Sequence, residues 1–204
     1  MKHMIYGDGC AFAVLNFLSL EECTKWIARA KQVGFHENTP ITTSKGFVQR
    51  PDVWNNARAI CDREDWAVEL WERMKNFFSS SPGIEPIGLN ERFRFYRYSP
   101  GQFFKPHQDG VFIRSPQEQS WWTVLLYLNE DMVGGETELF WQNVTVQPKA
   151  GLLLVFSTVN YILEIHSKKA LSMSFDLMLC VVSLFSHGEK FPRVEGNMLA
   201  AKIV

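Results

Sequence analysis

The triplet His107-Gln108-Asp109 is the place in this chain where residue type and spacing most directly suggest chemistry. In extended backbone, side chains two residues apart project from the same face. An imidazole and a carboxylate placed that way can hold one metal ion from one side, a borderline nitrogen beside a hard oxygen. The other reading of the bare triplet is a solvated polar loop. A second set interleaves Arg92, Arg94 and Arg97 with Phe93, Phe95, Tyr96 and Tyr98. Cations alternating with rings can line a surface for single-stranded nucleic acid. The same pattern also arises from a strand with one solvated face, and Arg94 or Arg97 could instead hold an acidic group of a substrate.

The elements that must position these residues follow from periodicity and punctuation. Ser19-Leu20-Glu21-Glu22 has the form of a capping box, with Ser19 at the N-cap and Glu22 three residues on. Behind it Cys23, Trp26, Ile27, Ala30 and Val33 recur at helical spacing until Gly34. A short strand, Val14–Leu18, is expected before this helix, and a polar stretch runs after it to about Asn56. A second helix is expected over Asp62–Phe78, with Ala67, Leu70, Trp71, Met74, Phe77 and Phe78 on its apolar stripe. Strand patterns then dominate: Glu91–Tyr98, Trp121–Asn129, Glu138–Trp141, Val144–Val146 and Leu152–Phe156. Turn residues Pro100-Gly101 and Pro148 to Gly151 separate them. Val111–Ser120 reads as a connecting loop that could act as a lid. Helices first and short strands afterwards predict an α+β chain, a helical support carrying a β-sandwich or jelly roll.

Composition narrows the function classes. The 204 residues suit one domain, and 46% hydrophobic with 21% charged residues is ordinary for a globular protein. A formal net charge of −1 argues against bulk capture of nucleic acid or anionic membrane. Cys10, Cys23, Cys61 and Cys180 are scattered, which suits free thiols in a reducing compartment, and a cytoplasmic location is the expectation. The apolar run Cys10–Leu20 is interrupted by Asn16, which argues against a signal peptide. Leu177–Val182 is too short to span a bilayer.

The triplet's context forms an ordered set: Tyr98-Ser99-Pro100-Gly101, then His107-x-Asp109, then Thr123 to Asn129, Gly134-Gly135-Glu136-Thr137, and Pro148-x-x-Gly151-Leu152-Leu153-Leu154-Val155-Phe156. This set resembles the iron(II)/2-oxoglutarate dioxygenases of the prolyl-hydroxylase-like superfamily, from about Gly88 to Phe156. The resemblance implies a double-stranded β-helix (jelly roll) with N-terminal support helices. It implies Fe(II), 2-oxoglutarate and O₂, with ascorbate as a possible reductant, and hydroxylation of a substrate that could be a peptidyl side chain. His107 and Asp109 match the first two metal ligands, and Tyr98 and Tyr127 match positions that line the cosubstrate pocket. The alternative for both tyrosines is a core role on an aromatic-rich sheet. No membrane or nucleic-acid partner is implied.

The resemblance breaks after Phe156. The family places its third ligand, a histidine, about six residues on, followed by a lysine or arginine that clamps 2-oxoglutarate. Here His166 lies ten residues past Phe156, and Lys168 and Lys169 lack fitting neighbours. His166 could serve only if the intervening loop buckles. Read from the third base of each preceding codon, Lys169 through Cys180 can encode Gly-Thr-Lys-Tyr-Val-Leu-Arg-Ser-Asp-Val-Met, which restores the missing motif. The expectation is therefore a single domain over residues 1–204: helical support at 12–80, jelly-roll core at 88–156, and an aberrant tail at 157–204. The tail is either out of frame or diverged. Three functions stay open: an active dioxygenase; a catalytically impaired variant acting as a binding module or without function; and a metal-free, cupin-like module.

Overall fold

Two short helices brace one face of a strand sandwich in the computed structural model. The structure describes residues 2–6, 11–37, 41–43, 46–78, 85–130, 132–140, 143–158, 162–166 and 177–187. Helix α1 (Leu20–Val33) starts as the sequence predicts. The Ser19 hydroxyl accepts from the Glu22 N–H at 3.2 Å, and the Glu22 carboxylate accepts from the Ser19 N–H at 2.8 Å. Gly34 ends it at φ +91°, its N–H donating to the Ala30 carbonyl. Helix α2 is shorter than expected, Glu64–Met74, continued by a 3₁₀ turn over Lys75–Phe77.

The strands in chain order are β1 (Lys2–Tyr6), β2 (Ala11–Leu15), β3 (Ile41–Thr43), β4 (Gly46–Val48), β5 (Ala57–Asp62), β6 (Glu85–Leu89), β7 (Arg92–Tyr98) and β8 (Phe103–Gln108). They continue as β9 (Ile113–Ser115), β10 (Glu118–Tyr127), β11 (Glu136–Leu139), β12 (Val144–Val146), β13 (Leu153–Ser157), β14 (Ile162–His166) and β15 (Leu177–His187). The larger sheet runs β1-β2-β13-β10-β15-β7-β5, with β6 on β15 and β9 on β10. The smaller sheet runs β12-β11-β14-β8. From β7 onward the chain alternates between them: β7, β10, β13 and β15 lie in the larger sheet, and β8, β11, β12 and β14 in the smaller. All these pairings are antiparallel. The architecture is of the jelly-roll type.

Strand alternation creates two cores. On β7, Phe93 and Phe95 face the helices and pack with Trp26, Trp66, Leu70 and Met74. Tyr96 and Tyr98 face the space between the sheets, with Leu125, Tyr127, Leu154 and Phe156 beside them and Phe104, Leu139 and Val146 opposite. The helices thus cover the outer face of the larger sheet and leave its inner face for the site.

Several expectations are corrected. β5 falls between the polar stretch that runs to about Asn56 and the helix expected from Asp62, where no element is predicted; its small residues Ala57 and Ala59 are buried but give little hydrophobic signal. The strand expected at Val14–Leu18 is β2, Ala11–Leu15, and the chain turns afterwards through Asn16 at φ +56°. The segment before His107 is strand β8, whose Pro106 and Lys105 mask the pattern. Val111–Ser120 holds the β9–β10 hairpin. At the turn before β13, Gly151 has φ +78°, and a Cβ there would lie 2.0 Å from the Leu18 carbonyl oxygen. That approach lets the Leu18 N–H donate to the Gly151 carbonyl at 3.1 Å, tying the start of α1 to the sheet.

Candidate functional site

His107 sits near the end of β8 on the inner side of the smaller sheet, buried, with its ring stacked on Phe104 at 3.6 Å between centroids. Its Nδ1 lies 2.8 Å from the Lys105 carbonyl, so Nδ1 carries the hydrogen and donates. That leaves Nε2 facing Asp109 Oδ1 at 3.4 Å. The other carboxylate oxygen, Oδ2, accepts from the Thr123 hydroxyl on β10 at 2.6 Å. Each member of the pair is thus oriented by a hydrogen bond on its far side, the arrangement that fixes metal-ligating side chains. Burial pushes the Asp109 pKa up, but His107, the Thr123 hydroxyl and the Arg94 charge outweigh it and hold the carboxyl below its ordinary range.

With neutral His107, a nitrogen lone pair and a carboxylate oxygen face each other across 3.4 Å. A shared cation resolves that contact, either a proton, giving an imidazolium, or a metal ion. Metal bonds of about 2.1 Å reach both atoms at this separation. The donor set therefore fits a divalent transition metal through its first two ligands. Among the described residues, no three His, Cys, Asp or Glu side chains come together. β14 places Leu163 opposite His107, and His166 opposite Phe103. The side chain of His166 lies outside the described residues, as do Lys168 and Lys169.

Tyr98 and Tyr127 both line the inner core. The Tyr127 hydroxyl donates to Thr137 Oγ1 on β11 and so links the two sheets. The Tyr98 hydroxyl is buried without a partner among the described residues. Burial pushes its phenol pKa well above the ordinary value, with Tyr96, Tyr127 and Asp109 pushing the same way and Arg58 opposing. The three arginines of β7 part company. Arg92 grips Asp62 and Arg97 pairs with Glu37, whereas Arg94 bears on Asp109. No continuous basic surface results from them. Sequence reasoning missed Thr123, which looks like any β-branched strand residue, and Arg58, which belongs to the unrecognised β5. A cleft of about 470 Å³ between α2 and β6, lined by Val68, Trp71, Ile87, Arg114 and Phe185, lies apart from this constellation.

Comparison with known proteins places this fold beside one group of enzymes. Residues 93–173 match the model of the 2OG-Fe(II) oxygenase superfamily. Over 130 residues the chain is 31% identical to prolyl 4-hydroxylase 1 of Arabidopsis thaliana. The chain thus resembles the prolyl-hydroxylase-like 2OG-Fe(II) oxygenases. The Arabidopsis match covers 60% of this chain and 44% of the plant protein, so the chain spans less than half of that relative. Solved structures share the fold. The viral collagen prolyl hydroxylase of Paramecium bursaria Chlorella virus-1, solved with 2OG, gives a TM-score of 0.58 at 16% identity over 87% of this chain and 97% of its own. The Trichoplax adhaerens prolyl hydroxylase, solved with a hypoxia-inducible-factor peptide fragment, gives 0.61 at 18% identity, covering 87% and 84%. The Pseudomonas putida prolyl-4-hydroxylase gives 0.58 at 17%, covering 86% and 91%. The superfamily to which the chain is similar is one of Fe(II)- and 2-oxoglutarate-dependent oxygenases. Among the described residues no helix is long and apolar enough to cross a membrane.

Proposed function

We propose that this chain folds as a double-stranded β-helix and hydroxylates a peptidyl side chain, using Fe(II), 2-oxoglutarate and O₂, with ascorbate as a reductant, in the cytoplasm. The observation that carries the reading is the His107–Asp109 pair: two ligand atoms 3.4 Å apart, each oriented from behind by Lys105 or Thr123. His107 and Asp109 would hold the ion, and His166 is the candidate for a third position. When bound, the ion supplies the redox chemistry that couples decarboxylation of 2-oxoglutarate to hydroxylation. The chain's own residues supply the setting. Phe104 fixes the plane of the imidazole, Thr123 turns the carboxylate, and Tyr98 and Tyr127 present phenols to a cosubstrate between the sheets. The peptide class of substrate is supported by the plant relative's name and by the peptide bound to the Trichoplax protein. Free Cys23, Cys61 and Cys180 suit a reducing compartment; Cys10 lies outside the described residues.

The test is Fe(II)-dependent conversion of 2-oxoglutarate to succinate. Turnover in the parent that disappears in His107→Ala is the expected result. A folded parent that binds metal but forms no succinate contradicts catalysis. It supports instead the second reading, an impaired jelly roll, which draws on the sequence after Phe156, where His166 falls outside the expected spacing and Lys168 and Lys169 lack fitting neighbours. The out-of-frame reading of residues 157–204 is checked separately, by the coding sequence around Ser157.

A further inference from the structure

β15 occupies the strand position between β10 and β7, against the two strands that line the inner core. Its sequence from Leu177 to His187 contains no lysine or arginine. The register sets Leu177, Leu179 and Val181 opposite Tyr98, Tyr96 and Arg94. An anionic ligand between the sheets therefore finds no arginine or lysine on this strand. The structure supplies one from β5. Arg58 lies opposite Tyr96 in the β5–β7 register and is only 6% exposed. Its guanidinium is surrounded by the rings of Trp54, Tyr96 and Phe104 at 4.7, 4.9 and 5.3 Å.

Aromatic rings stabilise the face of a guanidinium, not the N–H groups along its edge. Arg58 Nε and Nη2 are buried and find no hydrogen-bond partner among the described residues. These two atoms form one edge of the planar group, a fork whose spacing matches a carboxylate. The same edge in Arg50, Arg63 and Arg92 grips Asp52, Asp65 and Asp62 respectively. A buried cation with an unmatched fork is expensive to retain for structure alone. The Tyr98 hydroxyl, also buried and without a partner among the described residues, lies within electrostatic reach of Arg58. Phe104 contacts both the guanidinium and the His107 ring, so a short diacid can address both ends.

We propose that Arg58, seconded by the Tyr98 hydroxyl, is the anchor for the distal carboxylate of a dicarboxylic 2-oxo acid in this chain. The proposal rests on the oxygenase reading above. It is tested by titrating 2-oxoglutarate and 2-oxovalerate, which has the same chain length but no distal carboxylate, into the Mn(II)-loaded full chain by calorimetry. The parent is expected to prefer 2-oxoglutarate by about 10- to 100-fold, as a charge-assisted bidentate bond provides. Arg58→Gln removes that preference and leaves 2-oxovalerate affinity unchanged; Arg58→Lys recovers part of it, and Arg92→Gln, at an exposed surface pair, changes nothing. A parent that binds both acids equally overturns the anchor, whether or not the variants fold. Full preference in a folded Arg58→Gln overturns it too, while leaving the oxygenase reading intact. A parent that binds neither acid overturns both.

Discussion

Thr123 is a single hydroxyl that decides how Asp109 presents its oxygens. It occupies Oδ2 and leaves Oδ1 toward His107. Removing such an oriented outer partner costs metal affinity without removing a ligand. Thr123→Val keeps the β-branched shape, so the sheet should persist while Mn(II) affinity falls about 10- to 100-fold, measured by titration followed by electron paramagnetic resonance. Equal affinity in parent and variant would mean that Asp109 is oriented by something else. The cysteines behave in the opposite manner. Burial pushes the Cys23 thiol up to about 11 and the Cys180 thiol well above its ordinary value, so thiolate is scarce at both. Cys61 is only partly buried and less shifted. In native protein an alkylating reagent should modify Cys61 well before Cys23 or Cys180, read by peptide mass mapping; rapid alkylation of Cys180 would contradict its place beneath the helices.

Two elements carry the joints that hold the site's scaffold. The capping box at the start of α1 was legible in four residues, and Ser19→Ala should lower stability by about 1 kcal/mol in chemical denaturation. The hydrogen bond from the Ser19 N–H, and then the Arg73 pairing, hold the Glu22 carboxyl below its ordinary value of 4.5. A depressed folded-state value means that Glu22 contributes stability above pH 4.5 and loses it as pH falls through the lower value. Glu22→Gln should therefore flatten the acid limb of the pH–stability curve; an unchanged limb would rule out that linkage. The second joint is Gly151, where a positive φ and the Leu18 carbonyl leave no room for a side chain. Gly151→Ala should destabilise by at least about 2 kcal/mol, since strained backbone and a steric clash add. A neutral effect would mean that the α1–β13 joint adjusts freely.

At the scale of the whole molecule, the sandwich separates two jobs that the sequence mixes within single strands. Phe93 and Phe95 secure β7 to the helices, while Tyr96, Tyr98 and Arg94 share its other side with the site. The helices, the turn before β13 and the central strands were readable because their signals are local: caps, turn residues and long β-branched runs. β5 and β8 were not. β5 is built from small residues around an inward arginine, and β8 carries Lys105 and Pro106 on a short run, so neither shows clean alternation. The His107–Asp109 pair was legible from spacing, but Thr123 and Arg58 reach the site only through sheet pairing across long stretches of chain. The final two strands, β14 and β15, complete both sheets from residues that lack the family's closing motif. On the proposed reading the inner side of the smaller sheet holds one metal ion between His107 and Asp109, and a calorimetric Mn(II) titration is the decisive measurement. One bound ion per chain is expected in the parent, with loss of that site in both His107→Ala and Asp109→Ala. Metal binding that survives both substitutions in folded protein would contradict it.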